Sequence, residues 1–348
     1  MKDFRFSLTL TALLSVIFLG GCDDTPAPGD DNGTSVMRFH ATDTPGKRSA
    51  TTNESFLRAG NTFKVWGSYK SQTNATFKPT EIFDGTDVTY STEGNWTYTD
   101  PRYWHSGFRY DFRAIHPSGI AESVTYTIGE SSNDTPTFAL TNYDVLQGFD
   151  ILYAAPSPID AVSGPMPAVA LHFRHLLSRV IFIGRSDEQH LGTGRRIIID
   201  SAKLYGLHTT GTWNGHTTAD NSIGEWKSTG QLHNGETTPY RATSVELHTD
   251  GTLIFTGKDT QFFLPQSLAN AVLEITYHYN YSDSTRPLQY TGTVRLSELS
   301  ANWEAGKSYR YPFTISSHIF FEKPTVEEWK QAPINSSDFN VDIEDTDL

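Results

Sequence analysis

From residue 36 onward apolar and polar residues alternate with a period of two, and this pattern confines the chain to β-strands, whose successive side chains point to opposite faces. In residues 107–114, Phe108, Tyr110, Phe112 and Ala114 share one face and Arg109, Asp111 and Arg113 the other, as in a strand with one covered face. The same alternation sets Val169, Leu171 and Phe173 against His172 and Arg174, and Leu273, Ile275, Tyr277 and Tyr279 against Glu274, Thr276 and His278. It recurs in Tyr309, Tyr311, Phe313 and Ile315 against Arg310 and Thr314, where Pro312 predicts a sheet edge or a bulge. Hardly any stretch repeats at three and four residues over a helical length. Twenty-seven glycines, 17 prolines and an aromatic content of 13% fit many short strands joined by turns. Asp84-Gly85, Asn214-Gly215, Asn234-Gly235 and Asp250-Gly251 read as turns, and Asp250-Gly251 predicts a hairpin between residues 244–248 and 252–255.

Four prolines fall within residues 154–167, between strand-like runs, and predict a linker. It divides the folded part into residues 36–153 and 168–321, each long enough for its own core and each suited to a β-sandwich. Beyond them, residues 322–348 hold eight acidic and two basic side chains, a large share of a net charge of −13. Thr325 and Glu328 have capping-box spacing just before Trp329, which predicts one helical turn. Inside the tail, Phe339, Val341 and Ile343 alternate with Asp338, Asn340, Asp342 and Glu344, a strand pattern that no neighbouring segment completes.

The amino terminus is an address rather than a fold element. Lys2 and Arg5 precede the apolar run of residues 8–18, about half the ~20 residues a membrane-spanning helix needs, so residues 1–21 read as a secretory signal. Leu19-Gly20-Gly21-Cys22 resembles the lipobox of bacterial lipoproteins, which implies cleavage before Cys22 and acylation of its thiol. Several acyl chains hold a protein far more firmly than one. Residues 22–35 then form a polar, Pro- and Gly-rich tether, and the acidic Asp23 and Asp24 resemble the surface-export signal of lipoproteins in Bacteroidetes-type bacteria.

Residues suited to catalysis do not cluster. The acidic balance, 27 Lys and Arg against 40 Asp and Glu, argues against nucleic acid as a partner. Cys22 is the sole cysteine, which excludes an internal disulfide, a multi-thiolate zinc site and an iron–sulfur cluster. The twelve histidines are scattered, and His172 and His175 would face opposite sides of one strand, so no metal is expected. Neither a phosphate-binding Gly-rich loop nor a nucleophile elbow is present, and no catalytic residue or cofactor is expected. Trp96, Tyr98, Tyr103 and Trp104 cluster in a turn-rich stretch and leave an alternative open, a surface protein that stacks glycans on exposed rings.

Several segments, taken in order, resemble the fimbrillin family, the Mfa-like subunits of the type V pili of Bacteroidetes. They are Asp150-Ile-Leu-Tyr153-Ala154, Val169-Ala-Leu-His-Phe-Arg-His175-Leu-Leu-Ser-Arg-Val180, Phe262-Phe-Leu-Pro-Gln266, Trp303-Glu-Ala-Gly-Lys-Ser-Tyr309-Arg-Tyr311 and Pro324-Thr-Val-Glu-Glu-Trp329, with residues 46–52 and 63–67 before them. The resemblance implies an all-β fold of two transthyretin-like β-sandwich domains in tandem, preceded by a lipoprotein signal peptide. It also implies an adhesive subunit of a surface fimbrium, anchored in the outer membrane through lipid on Cys22. Its partners would be other subunits and host or bacterial surface ligands. Assembly would proceed by strand exchange. In such assembly a trypsin-like protease would cut after a basic residue near the amino terminus, and a terminal strand of the next subunit would fill the groove so opened. Arg48, beside Pro45-Gly46, is the first candidate for the cut, with Arg38 and Arg58 as alternatives; Phe339, Val341 and Ile343 are the candidate donor residues. Burying those three at ~1.5–3 kcal/mol each would contribute roughly 5–9 kcal/mol before ordering costs.

Overall fold

The computed structural model describes residues 35–43, 56–187, 196–215, 224–257, 261–280, 288–316 and 318–329. Strands dominate them, and the fold is all-β. The first sheet runs β1 (Phe39–Asp43), β10 (Val169–His175), β8 (Leu152–Ala154), β5 (Phe108–His116), β2 (Thr62–Ser71), β3 (Thr80–Tyr90) and β4 (Trp96–Thr97), with β9 (Ile159–Asp160) also on β5. A four-stranded sheet follows the order β14 (Gly224–Thr229), β13 (Thr210–Gly215), β7 (Thr137–Asp144) and β6 (Val124–Thr127).

Two further sheets build the carboxyl-terminal sandwich. One runs β17 (Thr252–Leu253), β11 (Ser178–Ser186), β23 (Lys307–Ile315) and β24 (Ile319–Phe321), with β18 (Phe262–Phe263) on β11 and β25 (Thr325–Glu328) on β23. The other runs β15 (Arg241–Ala242), β12 (Arg196–Tyr205), β20 (Val272–Asn280) and β21 (Gln289–Arg295), with β16 (Val245–Leu247) on β12. A short ribbon pairs β19 (Gln266–Ser267) with β22 (Asn302–Trp303).

Three cores follow from this layering. The inner face of the first sheet packs Phe39, Phe63, Phe83, Phe112, Leu171 and Phe173 together. Val180, Phe182, Ile197, Ile199, Tyr311 and Phe313 belong to the core of the carboxyl-terminal sandwich. Between them, Trp66, Ile115 and Tyr153, from the other face of the first sheet, meet Phe138, Leu140 and Trp213 of the four-stranded sheet. β5 is therefore covered on both sides. Asp111 and Arg113, expected on a solvated face, are buried, and the Arg113 guanidinium lies 3.4 Å from the Asp111 carboxylate and donates to the Phe112 carbonyl.

The structure corrects several sequence expectations. Residues 154–167 do not separate two units: they carry β9, which pairs with β5, and bury Ala161 and Met166 against the first core. β10, expected beyond the linker, pairs with β8 and β1 in that same sheet, and β7 from the first half pairs with β13 from the second. Asp84-Gly85 is a bulge inside β3, where Gly85 takes a φ of 60° that favours glycine. Asp250-Gly251 makes a turn, but its flanking strands β16 and β17 join opposite sheets and form no hairpin. Thr325–Glu328 is a strand, not a helical turn, and Trp329 behind it is buried; the acidic tail is thus docked as far as residue 329. Pro312 sits in a central strand rather than at an edge. β24 pairs with residues 313–315 and β25 with 307–310, so the missing N–H of Pro312 falls where the partner strand is interrupted.

His116 ends β5 in a buried position, its Nδ1 3.0 Å from the Thr62 carbonyl and its ring edge-on to Phe56. Burial pushes its pKa below the ordinary value of 6.5, with the Thr62 hydrogen bond and Asp150 opposing. The unfolded chain therefore takes up the proton first as pH falls. The contribution of His116 to stability should be fully present above about pH 7 and decline below 6.5 until folded His116 itself titrates. Denaturation midpoints measured from pH 8 to 5 should show this decline, and His116→Gln, which cannot titrate, should remove that part of it.

Candidate functional site

Ser35–Asp43 forms a stave that closes the first sheet. Its sequence alternates, so Met37, Phe39 and Ala41 point inward, at 0%, 5% and 1% exposure, while Arg38 and His40 face solvent. On one side β1 runs parallel to β10, with Phe39 opposite Val169 and Thr42 opposite His172, and the Val169 amide donates to the Arg38 carbonyl at 2.7 Å. On the other side the chain meets the segment after β4. The Met37 amide donates to the Arg102 carbonyl at 2.8 Å, the Trp104 amide to the Ser35 carbonyl at 3.0 Å, and the Tyr98 hydroxyl to the Met37 carbonyl at 2.7 Å. The Tyr98 pKa is raised, chiefly by burial, so this hydroxyl stays a donor across the physiological range.

Phe39 is the centre of the joint. Its ring lies edge-on to Phe63, Phe83, Tyr98 and Phe112, with centroids 5.4–6.3 Å away, a geometry that favours aromatic pairs. Without β1 the groove would be walled by β10 and the 98–104 segment and floored by those rings. Both walls would present unpaired backbone groups, an acceptor for an extended strand.

Of the candidate cleavage residues, one lies within this stave and two follow it. Arg38 lies inside it, with its carbonyl engaged by β10. Arg58 is exposed two residues after Phe56, which is buried against Trp96, His116 and Phe173; a cut there would release Phe56 as well. Arg48, Cys22, Phe339, Val341 and Ile343 lie outside the described residues. The stave itself, Met37, Phe39 and Ala41, was not singled out in the sequence. Its alternation was visible there, but its partner strand lies some 130 positions away.

The aromatic cluster considered for glycans is mostly core. Trp96 is 9% exposed and packs on Phe56, Phe63 and Tyr90; Trp104 is 2% exposed and packs on Tyr110 and Phe112. Only Tyr103 shows a large part of its ring to solvent. Among the described residues no group of three or more His, Cys, Asp or Glu is placed to hold a metal ion. No helix among them is long and apolar enough to cross a membrane.

Behind the groove, segments distant in sequence meet at one joint. His175, at the end of β10, places Nδ1 2.9 Å from the Asp150 carboxylate and stacks on Trp329 at 3.9 Å, and Trp329 in turn stacks on Phe262. The Trp329 amide donates to the Gly306 carbonyl, and the Gly306 amide to that of Leu177. A family model described as fimbrillin-like matches residues 48–329, a span that ends on this tryptophan and begins after β1. The chain belongs to the fimbrillin-like family. A fimbrial protein from Bacteroides vulgatus shares 18% identity with this fimbrillin-like chain at a TM-score of 0.55, covering 84% of this chain and 99% of its own, which establishes a common fold. A candidate cell adhesion protein from Bacteroides uniformis is similar at 18% identity and a TM-score of 0.48, covering 86% and 100%. No curated protein matches the chain. Fimbrillin-like chains are structural rather than catalytic, in keeping with a site made of a strand and its groove.

Proposed function

We propose that this fimbrillin-like chain is a subunit of a cell-surface fimbrium, exported as an outer-membrane lipoprotein through Cys22 and assembled by strand exchange. A protease cuts after Arg48, the stave leaves, and the tail of a neighbouring subunit enters the groove with Phe339, Val341 and Ile343 inward. One observation carries this reading. β1 is buried and hydrogen-bonded along two walls, yet it is covalently tied to the rest of the fold only through residues 44–55, which contain Arg48. The resulting polymer would present its subunits to host or bacterial surfaces. The burial of Trp96 and Trp104 works against a glycan platform on those rings.

Amino-terminal sequencing of protein from purified filaments tests the proposal. A start at Ser49 is the expected result. Filaments whose subunits begin at Cys22 would overturn the cleavage step, and a start at Phe39 or Ala59 would move it to Arg38 or Arg58.

A further inference from the structure

Tyr103 is the member of the aromatic cluster that the core does not take up. It is 38% exposed, and no aromatic side chain among the described residues packs on its ring. With Tyr69, Glu81, Asp84, Arg102 and His105 it lines a cleft of about 580 Å³ between β3 and residues 101–105. That volume lies in the range of small-molecule sites, about 300–1,000 Å³. The cleft opens on the surface, since Glu81, Asp84, Tyr103 and His105 are all exposed.

Its walls are held in place without a ligand. Tyr69 packs on Phe77, Phe108 and Tyr110, with ring centroids 5.2–6.2 Å away. Arg102 donates from Nε to the Ile82 carbonyl at 3.2 Å and from Nη1 to the Asp100 carbonyl at 2.7 Å, which fixes a guanidinium that has further N–H donors to offer. The backbone of Tyr103 bridges to Val36. Groups fixed in advance lower the ordering cost of binding.

The lining combines three chemistries. The Glu81 and Asp84 carboxylates accept hydrogen bonds, the Arg102 guanidinium donates them, and the Tyr103 ring offers an apolar face. A sugar ring carries the complement, with hydroxyls that both donate and accept at its edge and C–H groups on its face. Loss of hydration and, after it, the neighbouring Asp84 hold the Glu81 carboxyl above its ordinary value of 4.5. Hydroxyl donors would spread that crowded negative charge, and charge-assisted bonds of this kind are the stronger ones. Two carboxylates against one guanidinium leave the lining negative, which disfavours an anionic ligand.

We infer that this cleft binds a neutral sugar residue of a surface glycan, its C–H face on the Tyr103 ring and its hydroxyls bonded to Glu81, Asp84 and Arg102. The inference goes beyond strand exchange and does not depend on it, because every residue of the cleft lies outside the tail and the candidate cut sites.

The test applies the uncut full chain to immobilised neutral, sialylated and sulfated oligosaccharides, with poly-lysine as a peptide control. Retention on neutral glycans, displaced by free galactose, glucose or mannose, is the expected result. Tyr103→Ala should weaken that retention about tenfold, the scale of a lost ring contact, while Tyr103→Phe, which keeps the ring, should retain it. Glu81→Gln with Asp84→Asn should weaken it severalfold, and His40→Ala, away from the cleft, should leave it unchanged. No retention on neutral glycans, preference for the sialylated or sulfated ones, retention on poly-lysine alone, or binding untouched by Tyr103→Ala would each overturn the inference. Because nothing is cut or polymerised in this experiment, its failure would leave strand exchange standing, and filaments whose subunits begin at Cys22 would leave the cleft standing.

Discussion

Phe39→Ala should destabilise the uncleaved first sheet by about 3–5 kcal/mol, the range for emptying a buried phenylalanine site. The ring is 5% exposed and touches Phe63, Phe83 and Phe112 on three strands of the sheet and Tyr98 just beyond β4, so the surroundings have little freedom to collapse into the void. Because Phe39 belongs to the one strand bonded to both β10 and the 98–104 segment, its loss should loosen the closure first. Urea denaturation should show the lowered midpoint. Hydrogen exchange should show faster opening of the Met37, Trp104 and Val169 amides, while amides of β11 and β23 stay protected. A loss below ~1 kcal/mol, or equal loosening of the first sheet and the carboxyl-terminal sandwich, would contradict the picture of β1 as a stave. His40→Ala on the solvent face supplies the contrast and should stay within about 0.5 kcal/mol of the parent.

What could be read from the sequence depended on how many faces of a strand are covered. Where one face is solvated, as in β10, β20 and β23, the alternation names the inward residues, and Leu171, Ile275 and Tyr311 are buried as expected. β5 defeats that rule because a second layer covers its other face, and the polar Asp111 and Arg113 go inside as a mutually bonded pair. Turn residues marked bends without saying which sheet each flanking strand would join, hence the false hairpin at Asp250-Gly251. Prolines in residues 154–167 spoke of irregular backbone, which is present, but a short irregular segment can lie along a sheet as readily as it can leave one. The site was legible only in part. The alternation of residues 37–41 is the signal that would have found the stave, whereas parallel pairing with a strand far along the chain is a tertiary fact that no local pattern encodes.

His175→Ala should be the second large effect, because it strips the partner from a carboxylate that has no exposed side. Asp150 and His175 are both buried, with Nδ1 and Oδ1 2.9 Å apart, and leaving a buried polar group without its hydrogen bond costs about 1–3 kcal/mol, to which the lost packing of the imidazole adds. The imidazole also carries Trp329 on its face at 3.9 Å, so the substitution empties the stacking site that anchors the end of β25. Two contributions can be separated with a double-mutant cycle. Asp150→Asn alone should be destabilising, and the pair Asp150→Asn with His175→Ala should cost clearly less than the sum, since both changes remove the same buried hydrogen bond. Trp329→Ala should couple to His175→Ala in the same way. Additivity between positions 150 and 175 within 0.5 kcal/mol would show that the pair does not act as a unit. On the proposed strand exchange the joint bears on assembly, because His175 ends β10, the strand on which the stave is laid, and β10 passes directly through Leu176 and Leu177 into β11 of the carboxyl-terminal sandwich. A fault at His175 is therefore expected to reach the groove from behind: the His175→Ala chain, cut after Arg48, should polymerise more slowly than the parent even at temperatures where it remains folded.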